Sequence, residues 1–194
     1  MICRDIRLLL GLAVLVLPGF PTPATANPVK SRYTTIELKN CKVVERHQDG
    51  NTWTCAGLPA FPVYIAEGDL RTYMAFGRNA KKHRAASQTL APFNSVFDAA
   101  GKRATVEWRF TRRNERDEPY ATIVSYTTQN DSGRGRVLVV TKVTPRQSCH
   151  VAYIDAVANP DAIAWARRVA DNDARAFDCK SEPQVVGATG KSPM

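Results

Sequence analysis

The amino-acid sequence predicts an α+β fold: a mainly antiparallel β-sheet, one C-terminal helix packed on a face, and two disulfides. Residues 104–111 alternate apolar and polar side chains, the pattern of a half-buried strand. Residues 159–177 begin with Asn-Pro-Asp and then repeat apolar side chains at three- and four-residue steps, which indicates an amphipathic helix. Four cysteines lie beyond residue 26, and an even number suits two bridges.

The N-terminal segment, residues 1–26, has the pattern of a signal peptide. Arg4 and Arg7 precede an apolar run over 8–17, and Ala24-Thr25-Ala26 is a small-residue cleavage site. We expect cleavage after Ala26 and a periplasmic or secreted protein with no membrane span. The remaining 168 residues suit one domain, which we assign to 27–179. The aperiodic segment 180–194, rich in Pro, Gly, Ser and Lys, is predicted to be a disordered tail.

Turn signals divide the rest of the domain into strands. Asp49-Gly50 predicts a first hairpin, and Glu67-Gly68-Asp69 predicts a second. Residues 104–111 should place their apolar side chains in the core, and the Val-rich run 137–143 indicates a central strand covered on both faces. Between strands we expect a short helix within 79–90 and a charged loop at 112–118. The predicted strands are 33–38, 42–46, 52–55, 63–65, 70–76, 104–111, 120–128, 137–143 and one that begins near 147.

The helix near the C-terminal end has a start signal of its own. Asn159 is predicted as the N-cap, Pro160 as the first helical residue, and Asp161 as a carboxylate in the positive first turn. An apolar face should pack on the sheet and a charged face should point away from it. The apolar set is Ile163, Ala166, Val169, Ala170, Ala174 and Phe177, and the charged set is Arg167, Arg168, Asp171 and Arg175.

Cysteine usage indicates an oxidising compartment. Removal of Cys3 with the signal leaves Cys41, Cys55, Cys149 and Cys179, which predicts two disulfides. Four cysteines allow three pairings. Proximity favours Cys41 with Cys55 across the first hairpin and Cys149 with Cys179 between strand and helix.

The formal net charge is +9, and +8 once Arg4, Asp5 and Arg7 leave with the signal. A basic surface suits anionic partners, although such a charge also keeps a protein in solution without any partner. The basic residues at predicted loops would form one anion-binding surface if those loops gathered at one end of the sheet. Nucleic acid is disfavoured, because Trp108 and Tyr126 are strand residues and do not alternate with these charges. The candidates are Lys81, Lys82, Arg84, Arg112, Arg113, Arg116, Arg134 and Arg136.

Motifs for catalysis are weak. Cys149 and His150 are neighbours on one strand, so their side chains should point to opposite faces. Glu67 and Asp69 suit a turn better than an acid–base pair. The three histidines, His47, His83 and His150, are too far apart in the sequence to indicate a metal site. We therefore expect no metal and no cofactor.

Four motifs resemble a group of uncharacterised exported proteins of alphaproteobacteria. They are 38–41 (LKNC), 53–57 (WTCAG), 63–71 (VYIAEGDLR) and 149–155 (CHVAYID). The resemblance spans about residues 33–179. It implies a periplasmic or secreted location, and it implies no activity and no functional residue.

The sequence favours a non-catalytic binding protein with a basic surface for an anionic envelope component or a protein partner. The alternative is a periplasmic hydrolase that uses Glu67 and Asp69 or a free Cys149. A purely structural envelope protein is a third possibility.

Overall fold

The computed structural model describes residues 30–98, 100, 103–113 and 116–194, which form two β-sheets and one α-helix. The predicted signal peptide lies outside the described residues. No helix among those residues has the length and apolarity needed to cross a bilayer.

The larger sheet has the order β1-β7-β8-β9-β10-β11, and β6 pairs with one end of β8. Its neighbours are antiparallel except for β10 and β11, which are parallel. The predicted loop at 112–118 is shorter than expected, because the two strands of that hairpin stay paired as far as Arg113 and Arg116. The bounds are β1 (Lys30–Glu37), β6 (Phe93–Ser95), β7 (Arg103–Arg113), β8 (Arg116–Asn130), β9 (Gly133–Thr144), β10 (Gln147–Asp155) and β11 (Gln184–Val185).

The smaller sheet is an antiparallel meander in the order β2-β3-β4-β5. Both predicted hairpins are confirmed, and the disulfide between Cys41 and Cys55 ties the start of the first one to β3. The helix expected within 79–90 is a pair of short 3₁₀ segments, Ala80–Lys82 and Arg84–Ser87. The strands are β2 (Lys42–His47), β3 (Gly50–Leu58), β4 (Phe61–Gly68) and β5 (Arg71–Phe76).

The main core lies between the two sheets. Trp108 of β7 is fully buried there and meets Phe61 and Phe76 edge to face, with ring centroids 6.1 and 5.4 Å apart. The predicted core face of β7 is confirmed, since its four apolar side chains are at most 2% exposed. The prediction for 137–143 is also confirmed: Val139 faces the smaller sheet, whereas Val140 belongs to the core beneath the helix.

The helix covers the other face of the larger sheet, but it starts later than predicted. It is α1 (Ala162–Asn172), and Asp161 stands at the N-cap position without a side-chain capping bond. Asn159 is not the cap, because its carboxamide is used elsewhere. It donates to the carbonyl oxygens of Asp155 (2.8 Å) and Ala188 (2.7 Å) and accepts from the Ala188 amide (3.0 Å).

The predicted faces of α1 are partly wrong. Ala166 and Ala170 are fully buried as expected, but Ile163 is 41% exposed and Phe177 lies beyond the end of the helix. Arg167 and Asp171 do not point away from the sheet, because both pair with buried charges on β7. The layer between helix and sheet is therefore partly ionic. Cys149 and Cys179 form the second disulfide, which joins β10 to the segment after α1.

The predicted disordered tail is placed by specific contacts in the structure. Two of its residues form β11 on the edge of the larger sheet. Further along, the carboxylate of Asp155 accepts hydrogen bonds from the Lys191 amide (2.9 Å) and from the amide (2.8 Å) and hydroxyl (2.6 Å) of Ser192. Met194 packs on the main core. These contacts contradict the prediction of a disordered tail. The tail has a composition typical of disorder, but its hydrogen bonds to the buried Asp155 carboxylate fix its position.

Candidate anion-binding groove

A groove with a volume of about 1030 Å³ runs along the end of the larger sheet where the β7–β8 and β9–β10 hairpins turn. Its walls come from three places in the chain. The β7–β8 hairpin contributes Arg112 and Arg116, the end of β9 contributes Lys142, and the segment after α1 contributes Arg175. Phe61 closes the side next to the smaller sheet. Four cationic side chains thus border one opening.

The two hairpin arginines are the most available of these cations. Both Arg112 and Arg116 are exposed, and among the described residues no side chain pairs with either of them. Arginine presents a planar fork of donors that matches a carboxylate, sulfate or phosphate. Unpaired guanidinium groups at the rim of a concave surface are therefore suited to bind such anions.

Lys142 and Arg175 hold the far wall together. The Lys142 ammonium donates to the carbonyl oxygens of Arg175 (2.9 Å) and Phe177 (2.7 Å), which fixes the segment after α1 against β9. The Arg175 guanidinium lies 3.8 Å from the centroid of the Tyr120 ring. Among the described residues, no carboxylate pairs with either cation, so both keep their charge uncompensated at the groove.

Two acidic residues also line the groove, and one of them is already neutralised. Asp117 accepts from Arg32 at 2.5 Å, and Arg32 itself packs over the Phe110 ring at 4.7 Å. The other, Glu118, is exposed. Among the described side chains, four cations against these two carboxylates leave the groove positive.

Tyr120 connects the groove to the ionic layer beneath α1. Its hydroxyl donates to Asp171 at 2.6 Å, and Asp171 also receives two hydrogen bonds from Arg109, at 2.9 and 2.7 Å. Burial, followed by the hydrogen bond and charge of Asp171, raises the pKa of Tyr120 to about 12. The phenol therefore stays neutral and gives Arg175 a fixed ring to stack on.

Arg109 lies at the centre of that ionic layer. Burial alone would lower the pKa of Arg109, but the hydrogen bonds and charge of Asp171, with Tyr120 and Glu107, outweigh it and the pKa is raised. Glu107 in turn accepts from Arg167 at 2.8 and 3.2 Å. The layer holds α1 in place and so fixes the position of the segment that carries Arg175.

The structure brings together only some of the predicted anion-binding residues. Arg112 and Arg116 line the groove, whereas the side chain of Arg113 lies outside the described part of the chain. Arg134 and Arg136 lie on β9, where it pairs with the opposite end of β8. The hypothesis of one surface built from all the basic loops therefore does not hold.

The third predicted group lies on the 3₁₀ segments and is largely engaged. Lys81 forms an ion pair with Glu45. Arg84 donates to the carbonyl oxygen of Cys179 at 2.6 Å and to Glu182 at 2.5 Å. Lys82 is exposed. These residues stabilise local structure and are separate from the groove.

The cysteine route to catalysis is contradicted by the structure. Cys149 is fully buried and bonded to Cys179, so it has no thiolate to act as a nucleophile. Its neighbour His150 is also buried, and its Nδ1 lies 2.9 Å from the Tyr153 hydroxyl. Burial lowers the pKa of His150 to about 3, which keeps the ring neutral.

A serine and a histidine also meet in the core, but their contacts are structural. The Ser148 hydroxyl lies 3.2 Å from His83 Nδ1 and accepts from the Phe76 amide at 3.1 Å. The same nitrogen of His83 lies 3.0 Å from the Phe76 carbonyl oxygen. Because Ser148 is fully buried, this pair ties β5 to β10 and offers no accessible nucleophile.

Glu67 and Asp69 lie at the tip of the β4–β5 hairpin. Asp69 is 84% exposed and pairs with Arg71, as its position in a turn predicts. Burial raises the pKa of Glu67. The two carboxylates belong to a strand end and a turn, and they are far from the groove that the arginines form.

Three groove residues, Lys142, Tyr120 and Arg175, were not predicted from the sequence. Lys142 interrupts the apolar run VLVVTKV, and a lysine in a doubly covered strand is a signal that its ammonium reaches an edge. Arg175 carried no signal, because it was assigned to the outer face of the helix.

Comparison of the chain with protein-family models, with curated proteins and with solved structures gives no match in any of the three.

Proposed function

We propose that this is an exported, non-catalytic binding protein that recognises anionic groups of an envelope component through the groove between its β7–β8 hairpin and the segment after α1. The observation that carries the proposal is the pair of exposed arginines, Arg112 and Arg116, without partners among the described residues. Folding gains little from two unpaired guanidinium groups at one rim, whereas an anionic ligand would engage both.

The scaffold supports recognition more than chemistry. Arg175 is held by stacking on Tyr120, and Lys142 is held by two carbonyl oxygens, so both cations are fixed before a ligand arrives. Fixed groups lose less entropy on binding than mobile ones. The two disulfides are typical of proteins that fold in an oxidising compartment, which supports a periplasmic or secreted location.

The test is salt-dependent retention of the protein on immobilised dextran sulfate. Arg112→Gln with Arg116→Gln removes two groove charges, and Lys42→Gln with Lys82→Gln removes two exposed charges elsewhere. We expect the groove variant to elute at clearly lower salt, with affinity reduced roughly fivefold, because it alone loses direct contacts.

The variant with Lys42→Gln and Lys82→Gln is the matched control, because both double variants lower the net charge by the same amount. Equal shifts of the two variants would show that retention follows overall charge, and the proposal would then be wrong. Both proteins should keep the same thermal midpoint, since the four residues are exposed.

A further inference from the structure

A strained turn holds a leucine out into solvent at the other end of the molecule. Asp69 and Leu70 form the two-residue tip of the β4–β5 hairpin, with φ of 50° and 57°. Turns of this kind prefer Asn-Gly, because a branched side chain is disfavoured at positive φ. The Leu70 side chain is nevertheless 71% exposed, so little of its apolar surface is buried against the described chain to offset the strain.

Leu70 borders a pocket of about 490 Å³ that is lined by both apolar and polar side chains. Phe93, which is 44% exposed, and Phe97, which is buried, line the same pocket. Asn94 fixes the spacing between Leu70 and the two phenylalanines. Its backbone amide donates to the Leu70 carbonyl oxygen, and its side-chain oxygen accepts from the Thr72 amide, both at 3.0 Å. This volume is within the range of about 300–1,000 Å³ that small-molecule sites occupy.

Among the described residues that line the pocket, Arg134 is the one cation. The Arg134 guanidinium is exposed at the rim, and its Nε donates to the neutral side chain of Gln129 at 3.1 Å. Arg71 and Asp98 are already in ion pairs, with Asp69 and Arg103.

We infer that this pocket binds a small amphiphile, an apolar chain that ends in a carboxylate. The chain would lie against Leu70, Phe93 and Phe97, and the carboxylate would meet Arg134 at the rim. This site is independent of the anion-binding groove, because the two lie at opposite ends of β8.

The experiment is calorimetric titration of the protein with decanoate and with decanol, each below the concentration at which it aggregates. Decanol has the same chain without the charge. We expect decanoate to bind more tightly than decanol, and Arg134→Gln to weaken decanoate about fivefold while leaving decanol unchanged. Leu70→Asn should weaken both ligands roughly tenfold, because it removes apolar contact area.

Two features of these variants separate binding from folding. Asparagine tolerates positive φ better than leucine, so Leu70→Asn should keep or raise the thermal midpoint while binding falls. Val44→Asn removes another exposed apolar side chain, and Arg112→Gln removes a groove charge, so both should bind like the parent protein. Equal affinities for decanoate and decanol, or no binding of either, would overturn the inference whatever the dextran sulfate result.

Discussion

At the scale of single residues, Asp155 determines where the C-terminal segment lies. Its carboxylate is fully buried and receives hydrogen bonds from the amides of Val157 and Ala158, each at 3.0 Å, as well as three from Lys191 and Ser192. Burial opposes the charge, but these donors outweigh it and lower the pKa of Asp155 to about 2. The C-terminal segment has a composition typical of disorder. Its hydrogen bonds to the buried Asp155 carboxylate hold it in place.

We predict that Asp155→Asn destabilises the protein by about 2 kcal/mol, because the new amide group turns a donor toward amides that also donate. The measurement is urea unfolding of both proteins, together with limited proteolysis of residues 184–194. A variant as stable and as resistant to proteolysis as the parent would contradict the role given to Asp155.

The lowered pKa also fixes the pH range of this effect. A carboxylate whose pKa falls from 3.8 to about 2 on folding stabilises the native state fully above about pH 4. That contribution is lost as the pH falls from about 4 to 2. The stability difference between parent and Asp155→Asn should therefore be constant above pH 4 and shrink below it.

No local signal in the sequence announced this contact. The tail lacks periodicity and is rich in Pro, Gly and Ser, as in many disordered segments. Asp155 is separated from Ser192 by 37 residues, and propensity carries no information over such a distance. The strands and turns were predictable because their signals are local.

At the scale of elements, α1 is held on the sheet by charges as well as by apolar contact. The alternation of β7 was predicted correctly, but its polar face was expected to meet solvent. Glu107 and Arg109 are only 4% and 8% exposed, because the helix covers them. The sequence gives the period of a strand, whereas the layer that covers each face is decided by tertiary packing.

We predict a strong coupling between Arg109 and Asp171. Arg109→Met alone should cost about 3 kcal/mol, since it leaves Asp171 without a cationic partner and Glu107 with Arg167 as its one remaining cation in the described layer. Arg109→Met combined with Asp171→Leu should recover much of that loss, because no uncompensated charge remains at this point of the layer. Urea unfolding of the single and double variants measures the coupling. Additive losses would contradict it.

At the scale of the whole molecule, topology decides which predicted residues can act together. β8 has 15 residues, so its ends lie roughly 45 Å apart at about 3.3 Å per residue. Arg116 begins this strand and Arg134 lies beside its end, so two groups of basic residues are separated by its full length. The basic loops were predictable from local composition, but strand order and length determine which loops are neighbours.

The last prediction concerns the two disulfides, one in the smaller sheet and one between β10 and the segment after α1. The exported protein should lack residues 1–26, and alkylation without reduction should add no label to Cys41, Cys55, Cys149 or Cys179. Reduction should expose four thiols and lower the stability by about 3 kcal/mol for each bridge, a large part of the roughly 5–15 kcal/mol typical of a domain. Intact mass before and after reduction, with urea unfolding in both states, measures these effects. A label on Cys149 before reduction would contradict the buried bridge and would restore a cysteine nucleophile.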